Sequence, residues 1–365
     1  MRLLTIPRRR RAALNEHFGL TRRSLAALVI AVMAFPGAAL ADPIEITDET
    51  DTTVIFVDPV DRIVIFNTAN GEYVRAVAPE TIVGIDGDAM SDPGYWSQDL
   101  PVVGTGQREP NYEAIIGLEP DVVIFPINGA WEEARATLAR FDIPVLVFTG
   151  WDPLQRESIV TKTGLMTGNE DQAAKLNAWF DGLYARLEAG LDGVERRRVF
   201  VEHGADWRAP IPGSGWHDMI ISGGGDSILS GVDIANQPAS KGSVHAFEFD
   251  PEVVLEADPE VIIKFRERAY LGQPPEVVQA HYAALLERPG WSDLTAVKNG
   301  ELHTVDWFVM NTAGKVIGAL YIAKWLYPGE FSDVDPDEVA RVFLEDFQGV
   351  PFPENGYAYS PDMTN

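Results

Sequence analysis

The chain has no cysteine. That excludes a disulfide framework, a thiolate zinc or iron–sulfur site, a cysteine nucleophile and a lipidated cysteine. Positive charge is scarce as well. Only 29 lysines and arginines stand against 55 aspartates and glutamates, a formal net charge of −26 over 365 residues. Nucleic acid is therefore excluded as a partner, because phosphate binding needs a basic stripe. Beyond residue 41 no segment approaches ~18 continuous apolar residues, so none reads as a transmembrane helix. What is present suits a globular protein, with 46% hydrophobic and 23% charged residues. The length suggests roughly two domains.

The charge is unevenly spread. Residues 1–41 hold seven arginines, no lysine and one acid, Glu16. The apolar stretch from Leu25 to Phe35 follows, then Ala39-Leu40-Ala41. A basic region, a short apolar core and a small-x-small site make an export signal rather than a fold element. Thr21-Arg22-Arg23-Ser24-Leu25 also resembles a twin-arginine signal, so Sec and twin-arginine export both stay open. Cleavage after Ala41 leaves 324 residues with 22 basic and 54 acidic side chains, a charge of −32. With no cysteine to carry a lipid, the expected product is soluble in the periplasm or secreted, and monomeric.

From residue 54 on, β-rich runs alternate with helical stretches. Val54–Val57, Arg62–Phe66, Ile82–Ile85, Asp121–Phe125 and Val145–Phe148 read as strands, and Glu113–Leu118 and Trp131–Phe141 as helices between them. Near-continuous apolar runs such as Val122-Val123-Ile124-Phe125 suit strands of a parallel sheet covered on both faces. The rhythm then gives way to one long helix. Asn169-x-x-Gln172 reads as a capping box, and Leu176, Trp179, Phe180, Leu183, Leu187 and Leu191 follow at helical spacing before Gly193. Arg198–Glu202, Val261–Phe265 and Glu301–Val305 restart the strands, while Met219–Ser222 reads as a helix end closed by glycines. The expected fold class is α/β. It has an N-terminal lobe at 42–168, an interlobe helix at 169–193, a C-terminal lobe at 194–348 and a tail at 349–365.

Two segments echo each other. Glu113-Ala-Ile-Ile-Gly-Leu-Glu-Pro120-Asp121-Val-Val-Ile124 is matched by Glu252-Val-Val-Leu-Glu-Ala-Asp-Pro259-Glu260-Val-Ile-Ile263. Each reads as a short helix, a proline-marked stop and a buried strand, which points to a duplicated lobe. With Leu100-Pro101-Val102-Val103-Gly104, Arg288-Pro289-Gly290-Trp291 and Gly300-Glu301-Leu302-His303-Thr304-Val305-Asp306, these blocks carry a resemblance. The chain resembles the periplasmic substrate-binding proteins of ABC importers for ferric siderophores, cobalamin and haem, over roughly residues 58–335, with the binding domain at about 60–335. The resemblance implies two Rossmann-like lobes joined by one rigid helix, a ligand between them, and an inner-membrane permease with its ATPase as partners. It also implies that Glu113 and Glu252 dock on arginines of that permease. Each acid also stands at the start of a helix, where a negative charge is favourable in any case.

In open α/β sheets ligands lie beyond the carboxyl ends of the strands. The segments there carry Tyr95, Trp96 and Trp151 in the N-terminal lobe, and Trp207, Arg208, Arg266, Arg268 and Trp307 in the C-terminal lobe. Loop tryptophans offer large rigid faces. Arginines offer bidentate hydrogen bonds to anionic groups, and stand out in so acidic a chain. Packing of each tryptophan on its own lobe, and surface pairing of each arginine, are the competing readings. His203, His217, His245, His281 and His303 show no metal-binding spacing, and no nucleophile elbow or phosphate loop is present. No intrinsic cofactor, metal site or catalytic residue is expected. The expectation is a non-enzymatic periplasmic receptor for a ferric siderophore. A corrinoid or haem receptor is the alternative, and a secreted sensor or hydrolase on the same fold is the alternative of another class.

Overall fold

The computed structural model describes residues 42–311 and 315–360. The expected export signal lies outside the described residues.

The N-terminal lobe is built on a four-stranded parallel sheet, ordered Ile82–Ile85, Ile63–Ile65, Val122–Phe125, Val145–Val147. Its central strands are buried along their whole length. Side chains alternate between the two faces. Ile63, Ile65, Ile124 and Leu146 face the helices Thr68–Val77, Arg156–Thr167 and Glu170–Leu191. Val64, Val123, Phe125 and Val145 face Tyr112–Gly117 and Trp131–Leu138. Both faces need apolar residues, hence the unbroken runs.

The C-terminal lobe repeats the plan. Its sheet has the order Ala358–Tyr359, Leu302–Asp306, Val261–Arg266, Arg197–Glu202, Gly225–Ser227. All neighbours are parallel except the first pair. The terminal segment is thus no detached tail. Ala358–Tyr359 closes the sheet edge, where Tyr359 is paired with Thr304 and Ala358 with Val305.

The echo seen in the sequence is a structural repeat. Helices Tyr112–Gly117 and Glu252–Ala257 each end on a left-handed residue before the proline, Glu119 at φ 47° and Asp258 at φ 44°. The acid after the proline then receives the backbone N–H that opens the neighbouring strand. Asp121 accepts from Arg62 N at 3.0 Å, and Glu260 accepts from Arg198 N at 3.1 Å. Each of these arginines also donates to carbonyls at the preceding turn, Leu118 O in one lobe and Asp258 O in the other.

The helix Glu170–Leu191 spans ~33 Å at 1.5 Å per residue. It buries Leu176, Phe180 and Leu187 in a core that is continuous from Ile63 and Tyr73 of one lobe to Val199 and Ile263 of the other. A shared core of this kind leaves the helix little freedom to act as a hinge. Asn169 makes no side-chain cap, and Gln172 reaches instead across to Ala76 O at 3.0 Å. The capping box does not form because tertiary contact takes its second member. Two further expectations change. Thr53–Phe56 leaves the parallel sheet and forms an antiparallel hairpin with Ile44–Thr47. The helix Thr68–Val77 was not legible, since Gly71 interrupts its pattern. That glycine admits the Trp96 ring, which would lie 2.7 Å from a Cβ at this position.

Candidate functional site

The lobes meet through the loops beyond the carboxyl ends of their strands. On one side, Arg268 pairs with Asp92, whose side chain is fully buried. Beside them Tyr95 packs on Tyr270 and Phe308. Arg75 completes this seam by bonding Gln348 Oε1 at 2.7 Å and Tyr95 O at 2.6 Å. On another side, Lys315 of the C-terminal lobe donates to Trp151 O of the N-terminal lobe at 3.3 Å.

The loop that presents Trp151 is held firmly. Glu49 accepts from Thr149 N and Oγ1 at 2.5 and 2.6 Å. Asn70 accepts from Gly150 N at 2.9 Å and donates to Phe148 O at 2.8 Å. Gly150 has no room for a side chain, since a Cβ would lie 2.6 Å from Asn70 Oδ1.

Opposite it stands a ring cluster of the C-terminal lobe. His203 lies 4.6 Å from Trp307 and 5.9 Å from Trp216 between ring centres. Trp216 lies 5.4 Å from Trp307 and 5.6 Å from His245. Trp307 follows the strand end Asp306, whose Oδ1 accepts from Phe308 N at 2.8 Å and Ala269 N at 3.0 Å. Trp216 opens the helix Gly215–Ser222, where Ser214 Oγ caps its N–H and bonds His245 Nδ1 at 3.0 Å. His203 is pinned by Lys264, which donates to its carbonyl at 2.8 Å. Lys264 is itself fully buried between Glu202 and Asp206, and Arg288 ties the same two acids.

These groups are donors. The indole nitrogens of Trp216 and Trp307 are buried and have no hydrogen-bond partner among the described residues. Ala205 N donates to His203 Nδ1 at 3.3 Å, which leaves the proton of a neutral imidazole on Nε2. Burial, then Lys264, Arg208 and His245, hold His203 below the usual histidine range. Burial, then Lys315, lowers His245. Both rings are therefore neutral at pH 7. A groove of about 660 Å³ lined by Ile55, Val57, Pro120 and Phe141 lies at the opposite ends of the N-terminal strands, away from this cluster.

Of the residues expected from sequence, Trp151 and Trp307 lie in this contact region. Tyr95 and Arg268 lie in the seam between lobes, with their polar groups engaged by Glu72 and Asp92. Four others have their side chains engaged within their own lobes. Trp96 is buried against Gly71 beneath Arg75. Trp207 packs on Trp291 and Phe249 with Arg288 over its face at 4.2 Å, so it belongs to the lobe's core. Arg208 is engaged by Glu248 Oε2 at 3.1 Å and Ala246 O. Arg266 is buried on Thr304 Oγ1 at 2.7 Å and Tyr357 O at 2.6 Å. Burial pushes it down to about 10, so it stays charged at neutral pH. Glu113 and Glu252 are exposed in the first turns of their helices and make no ion pair among the described residues. His217 turns to Ser230, and no cluster of three metal-ligating side chains occurs among the described residues.

The residue that sequence reading missed is Lys315. It is the lone charge in the mainly apolar stretch from Trp307 to Leu320, and that isolation is the signal that could have found it.

The family profile described as periplasmic binding protein matches residues 63–306. The chain belongs to the periplasmic binding protein family. The molybdate-binding protein MolA of Haemophilus influenzae is 24% identical, over 91% of this chain and 97% of its own length. A cobalamin-binding protein of Halobacterium salinarum is 24% identical over 62% of this chain and 59% of its own. Among solved structures, the TroA-like periplasmic binding protein FepB from Veillonella parvula superposes with a TM-score of 0.73. It is 23% identical, and the match covers 87% of this chain and 99% of that one. MolA bound to molybdate superposes with a TM-score of 0.65 at 19% identity, over 84% of this chain and 98% of that one. This periplasmic binding protein is a substrate-binding component of an ABC transporter and not an enzyme. Its transporter supplies a permease and an ATPase. No helix among the described residues is long and apolar enough to cross a membrane.

Proposed function

We propose that this binding protein captures an anionic metal species in the interlobe cleft, and that the species is a compact metal oxyanion of the molybdate class. The observation that carries the reading is the pair of buried indole N–H groups, Trp216 and Trp307, that have no acceptor among the described residues. A buried donor without a partner costs about 1–3 kcal/mol, so such groups point to an acceptor that arrives from outside. The direct contacts between lobes, Lys315 to Trp151 and Arg268 to Asp92, favour a small ligand over a bulky one. MolA, a relative matched over most of both chains, is named for molybdate. The ferric siderophore is the second reading. It too is commonly anionic, and the aromatic faces of Trp216 and Trp307 favour a chelator with flat groups.

The protein delivers its ligand to an inner-membrane permease, with Glu113 and Glu252 as the docking charges. Exposed carboxylates of this kind give orientation and on-rate more than affinity.

The test is a titration of intrinsic tryptophan fluorescence at pH 7.5 with molybdate, tungstate, sulfate, ferric siderophores, cobalamin and haemin. Molybdate and tungstate are expected to change the emission at micromolar concentration or below. Trp216→Phe with Trp307→Phe keeps the rings and removes both donors. It is expected to weaken binding by about 10–100-fold, the value of one or more hydrogen bonds to a charged acceptor. Tight binding of cobalamin alone, or unchanged affinity in the double variant, contradicts the reading.

A further inference from the structure

Lys315 is a buried ammonium that is incompletely paired among the described residues. Its residue is only 7% exposed. The backbone holds it in the left-handed region at φ 70°, a conformation that an unconstrained lysine seldom takes. Its stem packs over Gly215, where a Cβ would lie 3.4 Å from Cε, and its Nζ stands 5.9 Å from the centre of the Trp216 ring. An ammonium carries three donors. One goes to Trp151 O across the cleft. The other two have no hydrogen-bond partner, and no carboxylate comes within ion-pair distance, among the described residues. That is a costly arrangement in a chain so rich in acids, because a buried charge normally has a counter-charge.

We infer that Lys315 is the residue that reads the ligand's charge, so that only an anion completes the contact between the two lobes. This rests on the reading of the cleft as an anion site. The groups that face Lys315 are Glu72 from the helix Thr68–Val77, Asp152 from the loop beyond Val145–Val147, Asp218 from the helix Gly215–Ser222, and His245. Burial pushes Lys315 down to about 8, against the opposing pull of the three acids. His245 lies below the ordinary histidine value and is already neutral above pH 7. Lys315 therefore loses its charge between pH 7 and 9.5. Affinity for an anion holds below about pH 7 and falls as the ammonium loses its proton.

The experiment is isothermal titration with molybdate, a dianion throughout this range, at pH 7, 8, 9 and 9.5. Wild type, Lys315→Arg and Lys315→Met are compared, and thermal melting confirms that each is folded. Wild type is expected to weaken by about tenfold or more from pH 7 to 9.5. The arginine variant keeps its charge over the range, so it is expected to bind with a flat profile. The methionine variant is expected to be weakened at least tenfold at pH 7, also with a flat profile. Wild-type affinity in the methionine variant, or the same fall with pH in the arginine variant, overturns the inference alone. If wild type takes a ferric siderophore instead, the same profile is read with that chelate. Binding of neutral cobalamin alone, or of none of these ligands, overturns the anion reading and this inference with it.

Discussion

At the scale of single residues, the charges in and around the cleft differ in what they do. Asp306 offers one carboxylate oxygen to two backbone N–H groups and buries the other with no partner among the described residues. Burial raises its carboxyl from 3.8 to about 6, against the lowering by those N–H groups and by Arg266. A carboxyl raised in the fold contributes stability that is fully present below about 3.8 and lost as pH rises through about 6. Asp306→Asn keeps an acceptor oxygen and carries no charge. At pH 8 it is expected to be more stable than wild type by about 1–3 kcal/mol, since one pKa unit is 1.36 kcal/mol. The gap narrows as pH falls below about 6 and closes by about pH 3, below the unfolded value. Melting curves at pH 8 and about pH 3 check this, and a gap of equal size at both contradicts it. The arginines show why sequence alone misplaces such roles. Arg208, Arg266 and Arg268 do stand at strand ends, as their positions suggest. Their partners are Glu248, Tyr357 and Asp92, between 40 and 176 positions away in the chain. Lys315 has the opposite history, marked in the sequence only by being the lone charge between Trp307 and Leu320 and given its role by the partners it lacks among the described residues.

At the scale of elements, local pattern carries far. Apolar runs bounded by turn residues locate the strands Ile82–Ile85, Val122–Phe125 and Val145–Val147 to within a residue, because burial on both faces leaves a strong signal. The Glu-to-proline blocks carry the duplicated helix, left-handed turn and strand, since a proline stop and an acid that receives a strand's N–H are both local devices. Elements whose form depends on a distant partner are hidden. The Ala358–Tyr359 strand exists only because Thr304 and Val305 offer it an edge. The helix Thr68–Val77 carries Gly71 because of Trp96, 25 positions on. The two echoed helices also carry a functional prediction. Glu113→Lys with Glu252→Lys is expected to abolish uptake in cells that depend on this importer while leaving the ligand Kd of the purified protein unchanged. Undiminished uptake by the double variant contradicts docking through these acids.

At the scale of the whole molecule, two α/β lobes share one core through the helix Glu170–Leu191, and their loops meet at Arg268–Asp92 and at Lys315–Trp151. The charge of −32 expected beyond residue 41 sets the background against which a cleft of hydrogen-bond donors is unusual. A body this acidic repels anions at long range. Selective capture then has to come from short, directed, buried donors, and Trp216, Trp307 and Lys315 are such donors. The most direct measurement of this claim is a crystal structure of the protein grown with molybdate. The account predicts an anion between the lobes with its oxygens about 3 Å from Trp216 Nε1, Trp307 Nε1 and Lys315 Nζ, the distance of an N–H···O hydrogen bond. Anion density on the outer surface alone, or a ligand in the cleft that leaves both indole N–H groups unpartnered, would contradict it.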